Sequence, residues 1–358
     1  MMRFKNIDFF RFIFALLIVM FHGRGIIELP IWLRGIKHCN VCVDFFFIIS
    51  GFLLFLKFKP NTDTFEFAKK RFLRLAPNIW LSVLLLGILS IFIKGIHWDL
   101  DGNILRILFL DNVGFSPITG GTSVAISWFV SVLFWTSIFY VYISNIFYKK
   151  YLNLIIWLLV MFCYAIYVQH NNFGIGHHAE NVYLIFNIGI CRALASIGLG
   201  YFISMAYKEG ILQNVKTKGS LLISLCECFL IGFLTYYLVF SGKLPGKTGM
   251  CYIVPFAILL YFMLIKKGVI SKLLDNDLSV RLGKYSYSIY CFHEVVLPIF
   301  KYHIFKHNPI LLIEYPLYSY VIQTVCAVIL GILLYYIFER PVSNYFNKKL
   351  INKSKFGV

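Results

Sequence analysis

Apolar residues in this chain run in blocks of about twenty, each closed by a charged cluster or by proline and glycine, and the blocks recur along nearly its whole length. A helix of about 20 residues is long enough to cross a hydrocarbon core of about 30 Å. Blocks of this kind stand at 7–27, 41–56, 77–95, 123–147, 152–169, 182–207, 219–240, 250–265, 285–304 and 316–338. A backbone in lipid has to satisfy its own hydrogen bonds, so the pattern predicts an all-α polytopic membrane protein with about ten transmembrane helices. The third block is expected to open at Pro77, since proline suits the first turn of a helix. Residues 96–122, with HWDLDGN and SPITGG, predict an outer loop that carries a short interfacial helix.

Composition narrows the class. Of 358 residues, 59% are hydrophobic and only 14% charged, against roughly 45–50% and about 25% in a soluble domain. A soluble enzyme, a secreted domain and a disordered tail are excluded. The net charge of +18 would point to nucleic acid in a soluble protein. Here it sorts by side: with the N-terminus inside, 23 lysines and arginines fall on cytoplasmic segments and 9 on the opposite side. That asymmetry places both termini in the cytoplasm and accounts for the charge, so no nucleic-acid partner is expected. Residues 1–345 are expected to form one transmembrane domain, with 346–358 as a basic cytoplasmic tail. The first block is read as a retained helix rather than a cleaved leader, because Asp8, Arg11 and His22 interrupt it and no small-residue cleavage site follows.

Charges inside the bilayer cost at least ~2.5–3.5 kcal/mol on insertion scales, which makes them candidates for function. Arg11 and His22 are eleven residues apart in the first block, and eleven helical steps close to within about 20° of whole turns while rising roughly 16 Å. They share a face at two depths. The bland alternatives are a snorkelling arginine and an interior histidine satisfied by packing. In FAKKRFLRLAP, Arg71 and Arg74 lie three apart on one helical face beside Lys69 and Lys70. Arginine forks bind phosphate bidentately, whereas the lysines need nothing beyond cytoplasmic anchoring. In LGKYSYSIYCFHEVVLP, Ser286, Tyr290 and His293 form a polar stripe with Glu294 beside it, suited either to lining a cavity or to interhelical packing. Ser50 and Gly51 favour close helix approach, and Arg192 and Glu227 are buried charges that could pair with each other. No metal site is expected: Cys39 and Cys42 form a CxxC with no second ligand pair, and His170, His177 and His178 lack carboxylate or cysteine companions at ligand spacing.

Taken in order, RFIFALLIVMFH, VDFFFIISGFLL, KKRFLRLAP, SWFVSVLFW, LGKYSYSIYCFH and the closing FERP resemble the motifs of the acyltransferase-3 family of bacterial membrane proteins, from Asp8 to Pro341. The resemblance implies a ten-helix inner-membrane enzyme that takes an acyl group, commonly acetyl, from cytoplasmic acyl-coenzyme A. Its acceptor would be a hydroxyl of a surface or secreted carbohydrate such as O-antigen, capsule or exopolysaccharide. Position by position, it implies catalytic roles for His22 and Arg11 and coenzyme binding by Arg71 and Arg74 with Lys70. The family's late histidine-bearing helix is matched by Ser286, Tyr287 and His293, and the stripe of Ser286, Tyr290 and His293 would line the acceptor side. In the fourth span this chain reads Trp128-Phe129-Val130 where many members have W-S-L followed by a glutamate, so a catalytic role for that glutamate does not transfer. The expected partners are the carbohydrate acceptor, membrane lipids and a second copy of the chain. The rival is a flippase, polymerase or transporter of polysaccharide biosynthesis, although the outer loops lack an arginine-rich stretch and no matching halves are visible.

Overall fold

The computed structural model describes residues 3–25, 27–114, 126–147, 150–170, 181–183, 186–214, 216–242 and 250–355. Ten long helices fall at the positions of the ten apolar blocks: α1 (Lys5–Gly23), α2 (Cys42–Lys57), α3 (Thr64–Phe92), α4 (Ser127–Ile146), α5 (Leu152–His170), α6 (Ile188–Lys208), α7 (Thr217–Thr235), α8 (Met250–Ile265), α9 (Asp277–Ile299) and α10 (Pro316–Leu334). Among the described residues, eight helical stretches are long and apolar enough to cross a membrane. Of the other two, α8 is short and α9 carries Asp277, Arg281, Lys284, His293 and Glu294. A further helix, Arg340–Lys355, continues beyond α10 through a wide turn, and the extended segments are the short strands Asn181–Tyr183 and Phe186–Asn187.

The third block differs from the expectation in an informative way. Its helix begins at Thr64, where the Asp63 carboxylate caps the backbone N–H groups of Phe65 and Glu66 at 2.8 and 3.1 Å, and it runs straight through Pro77. The neighbouring helix supports this stretch, with the Tyr287 hydroxyl donating to the Leu75 carbonyl at 2.6 Å and the Ser82 hydroxyl to the Cys291 carbonyl at 2.7 Å. These contacts tie α3 to its neighbour on either side of Pro77. Arg71 and Arg74 are therefore rigidly continuous with a membrane-embedded helix instead of lying on a separate cytoplasmic segment.

Two tight helix pairs organise the bundle. Helices α2 and α6 meet at Gly51 and Gly200: a Cβ on Gly51 would fall 2.1 Å from the Ile197 carbonyl oxygen, and one on Gly200 would fall 2.3 Å from that of Ile48. Small residues of this kind let membrane helices approach closely. At the same interface the Arg192 guanidinium forks onto Asp44 at 2.8 and 2.7 Å, donates to the Asn40 carbonyl at 2.9 Å, and lies 5.9 Å from the ring centres of Trp128 and Tyr167. The anticipated partner, Glu227, is engaged elsewhere. It accepts from the backbone N–H groups of Ile270 and Ser271 at 2.9 and 3.2 Å, at the start of the short helix Val269–Leu273, where the helix dipole favours an anion.

Helices α1 and α9 form the second pair and run parallel. Lys5 meets Asp277 at their first turns, Asp8 packs on Gly283, and His22 meets His293 towards the far ends. The segment between α3 and α4 does contain a short helix, Leu100–Ile107, capped by Asp99 through the Gly102 N–H at 2.7 Å. The indole N–H groups of Trp80 and Trp135 hold the carbonyls of Ile107 and Phe109 at 3.0 and 2.7 Å, and the Asp111 carboxylate accepts from Ser127 and Ser131. Burial pushes the Asp111 carboxyl above its ordinary value, with the two serine hydroxyls opposing the shift. All eight cysteines among the described residues are free, and the Cys39 thiol donates to the Leu238 carbonyl at 3.1 Å.

Candidate functional site

Two clusters sit at opposite ends of the face shared by α1 and α9. The inner cluster is cationic. Arg11 Nη1 reaches Asp8 Oδ1 at 3.1 Å, while Arg3 Nε takes the other carboxylate oxygen at 2.7 Å, so one aspartate is divided between two arginines. Arg74 acts electrostatically on Arg11, Arg71, Lys57 and Glu339, which places the arginine pair of α3 beside Arg11. The Arg71 guanidinium lies 5.8 Å from the Phe67 ring centre, and its Nε is buried with no hydrogen-bond partner among the described residues. Lys70, by contrast, is exposed on the outer side of the same helix. Glu339, from the closing FERP, is tied by Asn78 Nδ2 at 2.8 Å and by the Ser288 hydroxyl at 2.5 Å.

Phosphate groups fit this arrangement. Five cations, Arg3, Arg11, Lys57, Arg71 and Arg74, gather around two carboxylates that are already hydrogen-bonded, and a buried guanidinium N–H is left over among the described residues, which a bidentate anion would satisfy. The chemistry of Lys57, Asp8 and Glu339 was not evident from their local sequence. A carboxylate at Asp8, three residues before Arg11, was the available signal for one of them.

The outer cluster is imidazole and carboxylate. His22 Nδ1 and His293 Nε2 are 2.9 Å apart, with the rings stacked at 20° and their centres 5.0 Å apart. Glu294 Oε1 lies 3.9 Å from His22 Nδ1 and 3.7 Å from His293 Nε2. His293 Nδ1 faces the Ile289 carbonyl at 3.3 Å. A carbonyl only accepts, so Nδ1 of His293 carries the proton and its Nε2 is the lone-pair nitrogen. The bond between the rings then runs from His22 Nδ1–H to His293, which leaves Nε2 of His22 as a basic nitrogen. His22 is also the accessible member, with 29% of its side chain exposed against 0% for His293 and 11% for Glu294.

The polar stripe on α9 is divided by this geometry. His293 is brought against His22. The Tyr290 hydroxyl is committed to the Ile126 carbonyl at 3.0 Å with its ring 5.4 Å from Phe129, and the Ser286 hydroxyl turns back onto the Gly283 carbonyl at 2.9 Å. Tyr287 is likewise occupied at Leu75. His177 and His178 lie outside the described residues, as does the side chain of His170.

A bundle with eight helices long and apolar enough to cross a membrane among the described residues, a cationic cluster at one end of α1 and a histidine pair at the other, has the character of a multi-pass membrane protein. The sequence matches the profile of an acyltransferase domain, the acyltransferase-3 family, over residues 4–340, and the chain belongs to that family. No curated protein matches it significantly.

Proposed function

We propose that this membrane acyltransferase takes its acyl group, acetyl in the simplest case, from cytoplasmic acyl-coenzyme A and places it on a hydroxyl of a surface or secreted carbohydrate, working in a bacterial inner membrane. The observation that carries the proposal is the polarity of α1: an under-neutralised arginine cluster at one end and a hydrogen-bonded histidine pair at the other. Arg11 and His22 are separated by roughly 16 Å of helix, a span that an extended pantetheine arm can bridge.

In this reading Arg71 and Arg74, assisted by Lys57, hold the coenzyme phosphates, with Lys70 as an outlying contact at the surface. Arg11 steers the arm inward. His22 Nε2 removes the proton from the acceptor hydroxyl as its oxygen attacks the thioester carbonyl. The same nitrogen returns that proton to the departing thiolate, so the pair ends as it began. His293 fixes the His22 tautomer, and the acceptor enters beside His22, the exposed ring. Ser286 and Tyr290 support the acceptor side by holding α9 and the start of α4 in place. Nothing among the described residues favours the flippase or polymerase alternative.

The test is ester analysis of surface glycans from cells with and without the protein, complemented by wild type and by His22→Ala at equal membrane abundance. Wild type should add an acyl group that mild alkali removes, and His22→Ala should lower its incorporation by ~10²–10⁴-fold. Altered glycan length or export with unchanged ester content would overturn the proposal in favour of transport or polymerisation.

A further inference from the structure

Donor atoms of His22, His293 and Glu294 all lie within 4.8 Å of one another, although 271 residues separate the two histidines in sequence. We propose that these three side chains form a reversible site for a borderline divalent cation such as Zn2+, and that its occupancy switches acyl transfer off. Binding itself is independent of the function proposed above; the inhibitory consequence rests on it.

The geometry is close to what such an ion requires. Zn–N bonds of 2.0–2.1 Å at the tetrahedral angle put two ligand nitrogens roughly 3.3–3.4 Å apart. The nitrogens of His22 and His293 stand at 2.9 Å, and the glutamate oxygen lies 3.7 and 3.9 Å from them. Opening the rings by less than half an ångström and drawing the carboxylate in by a similar amount makes a closed triangle around the ion. His293 already has the outer support of a metal-ligating histidine, with its remote N–H directed at a backbone carbonyl, that of Ile289. Three protein ligands with the exposed His22 at the rim leave the fourth position to water or an acceptor hydroxyl.

Proton bookkeeping explains the inhibition. For His22 to ligate through Nδ1, the proton it donates to His293 has to move to its own Nε2. His293 Nε2 is already a lone pair, and Glu294 binds as the carboxylate, releasing a proton if it enters as the acid. No electrons move. Ion binding therefore converts the basic nitrogen of His22 into an N–H, and the acceptor hydroxyl loses its base.

The experiment uses the full-length purified protein in detergent, first with Co2+ as a spectroscopic probe and then with Zn2+ in competition with a chromogenic chelator. One ion per chain is expected, with a Co2+ spectrum of nitrogen–oxygen coordination. Loss of an outer-shell partner alone typically weakens a metal site 10–100-fold, so His293→Ala and His22→Ala should weaken binding by at least about that much, while Arg71→Ala leaves it unchanged. His293→Gln and Glu294→Gln, which keep side-chain volume, serve if an alanine variant loses its monodisperse peak. Uptake no greater than that of a His22→Ala/His293→Ala double variant would overturn the site, as would uptake abolished by His177→Ala/His178→Ala instead. In proteoliposomes Zn2+ should stop acyl transfer and EDTA restore it. Bound metal with undiminished transfer, or transfer that requires the metal, would overturn the switch. No transfer under any condition would refute the acyltransferase chemistry and leave the metal site standing.

Discussion

The buried Nε of Arg71 is a hydrogen-bond donor without an acceptor among the described residues, a costly state that a bound anion relieves. Arg71→Lys keeps the charge and discards the planar fork. It should raise the KM for the acyl donor with little change in kcat, because the lost contact is uniform binding distant from the reacting atoms; initial rates over a range of donor concentrations decide this, and an unchanged KM would remove Arg71 from the donor site. Asp111 gives a second prediction at this scale. Its carboxyl is raised by burial, and an acid whose folded value exceeds its unfolded one, about 3.9, is destabilising once ionised. The penalty is absent below the unfolded value and grows as pH rises through the folded one. Asp111→Asn should therefore gain thermal stability relative to wild type as pH increases across that window, and equal melting curves at every pH would show the shift to be absent. Arg11, His22 and His293 were legible in the sequence because each interrupts an apolar run, and Arg71 and Arg74 because they stand three apart in a basic segment. The contact of His22 with His293, and that of Glu339 with Asn78 across 261 residues, was not. Helical periodicity reports which face a residue occupies and carries no information about which distant helix covers that face.

At the level of elements, the buried ion pair between α2 and α6 shows how sequence reading can find a charge and still miss its mate. Arg192 and Glu227 stood out equally as buried charges, yet α6 packs on α2 through the close approach at Gly51 and Gly200, so Asp44 is the carboxylate within reach. Removing one partner of a buried pair typically costs about 3–5 kcal/mol, whereas replacing both with apolar groups can be neutral. Thermal unfolding of Arg192→Met, Asp44→Leu and the double variant should show two large single losses and a much smaller combined one. Strictly additive losses would mean that the two residues are not coupled. The continuous α3 was missed for a related reason. Pro77 signals a helix start when only the local chain is considered, and the contacts of Leu75 with Tyr287 and of Ser82 with Cys291 join α3 to a segment some two hundred positions away.

For the whole molecule, the distribution of lysine and arginine predicts that both termini lie in the cytoplasm. The parallel course of α1 and α9, each beginning at the Lys5–Asp277 contact, requires an odd number of crossings between them, and the seven helices α2–α8 supply it. Reporter fusions at the two ends should be active only as cytoplasmic reporters; an exported reporter at either end would invert that topology. The parallel pairing also has a consequence for biogenesis. His22 leaves the ribosome 271 residues ahead of His293, which at about 5–20 residues per second is an interval of roughly 14–54 s. Throughout it the first helix, with Asp8, Arg11 and His22, has to be sheltered without its eventual neighbour. A nascent chain halted before the ninth helix would present those polar groups to lipid or to an insertase, and membrane quality control would have a clear mark by which to recognise an unfinished copy.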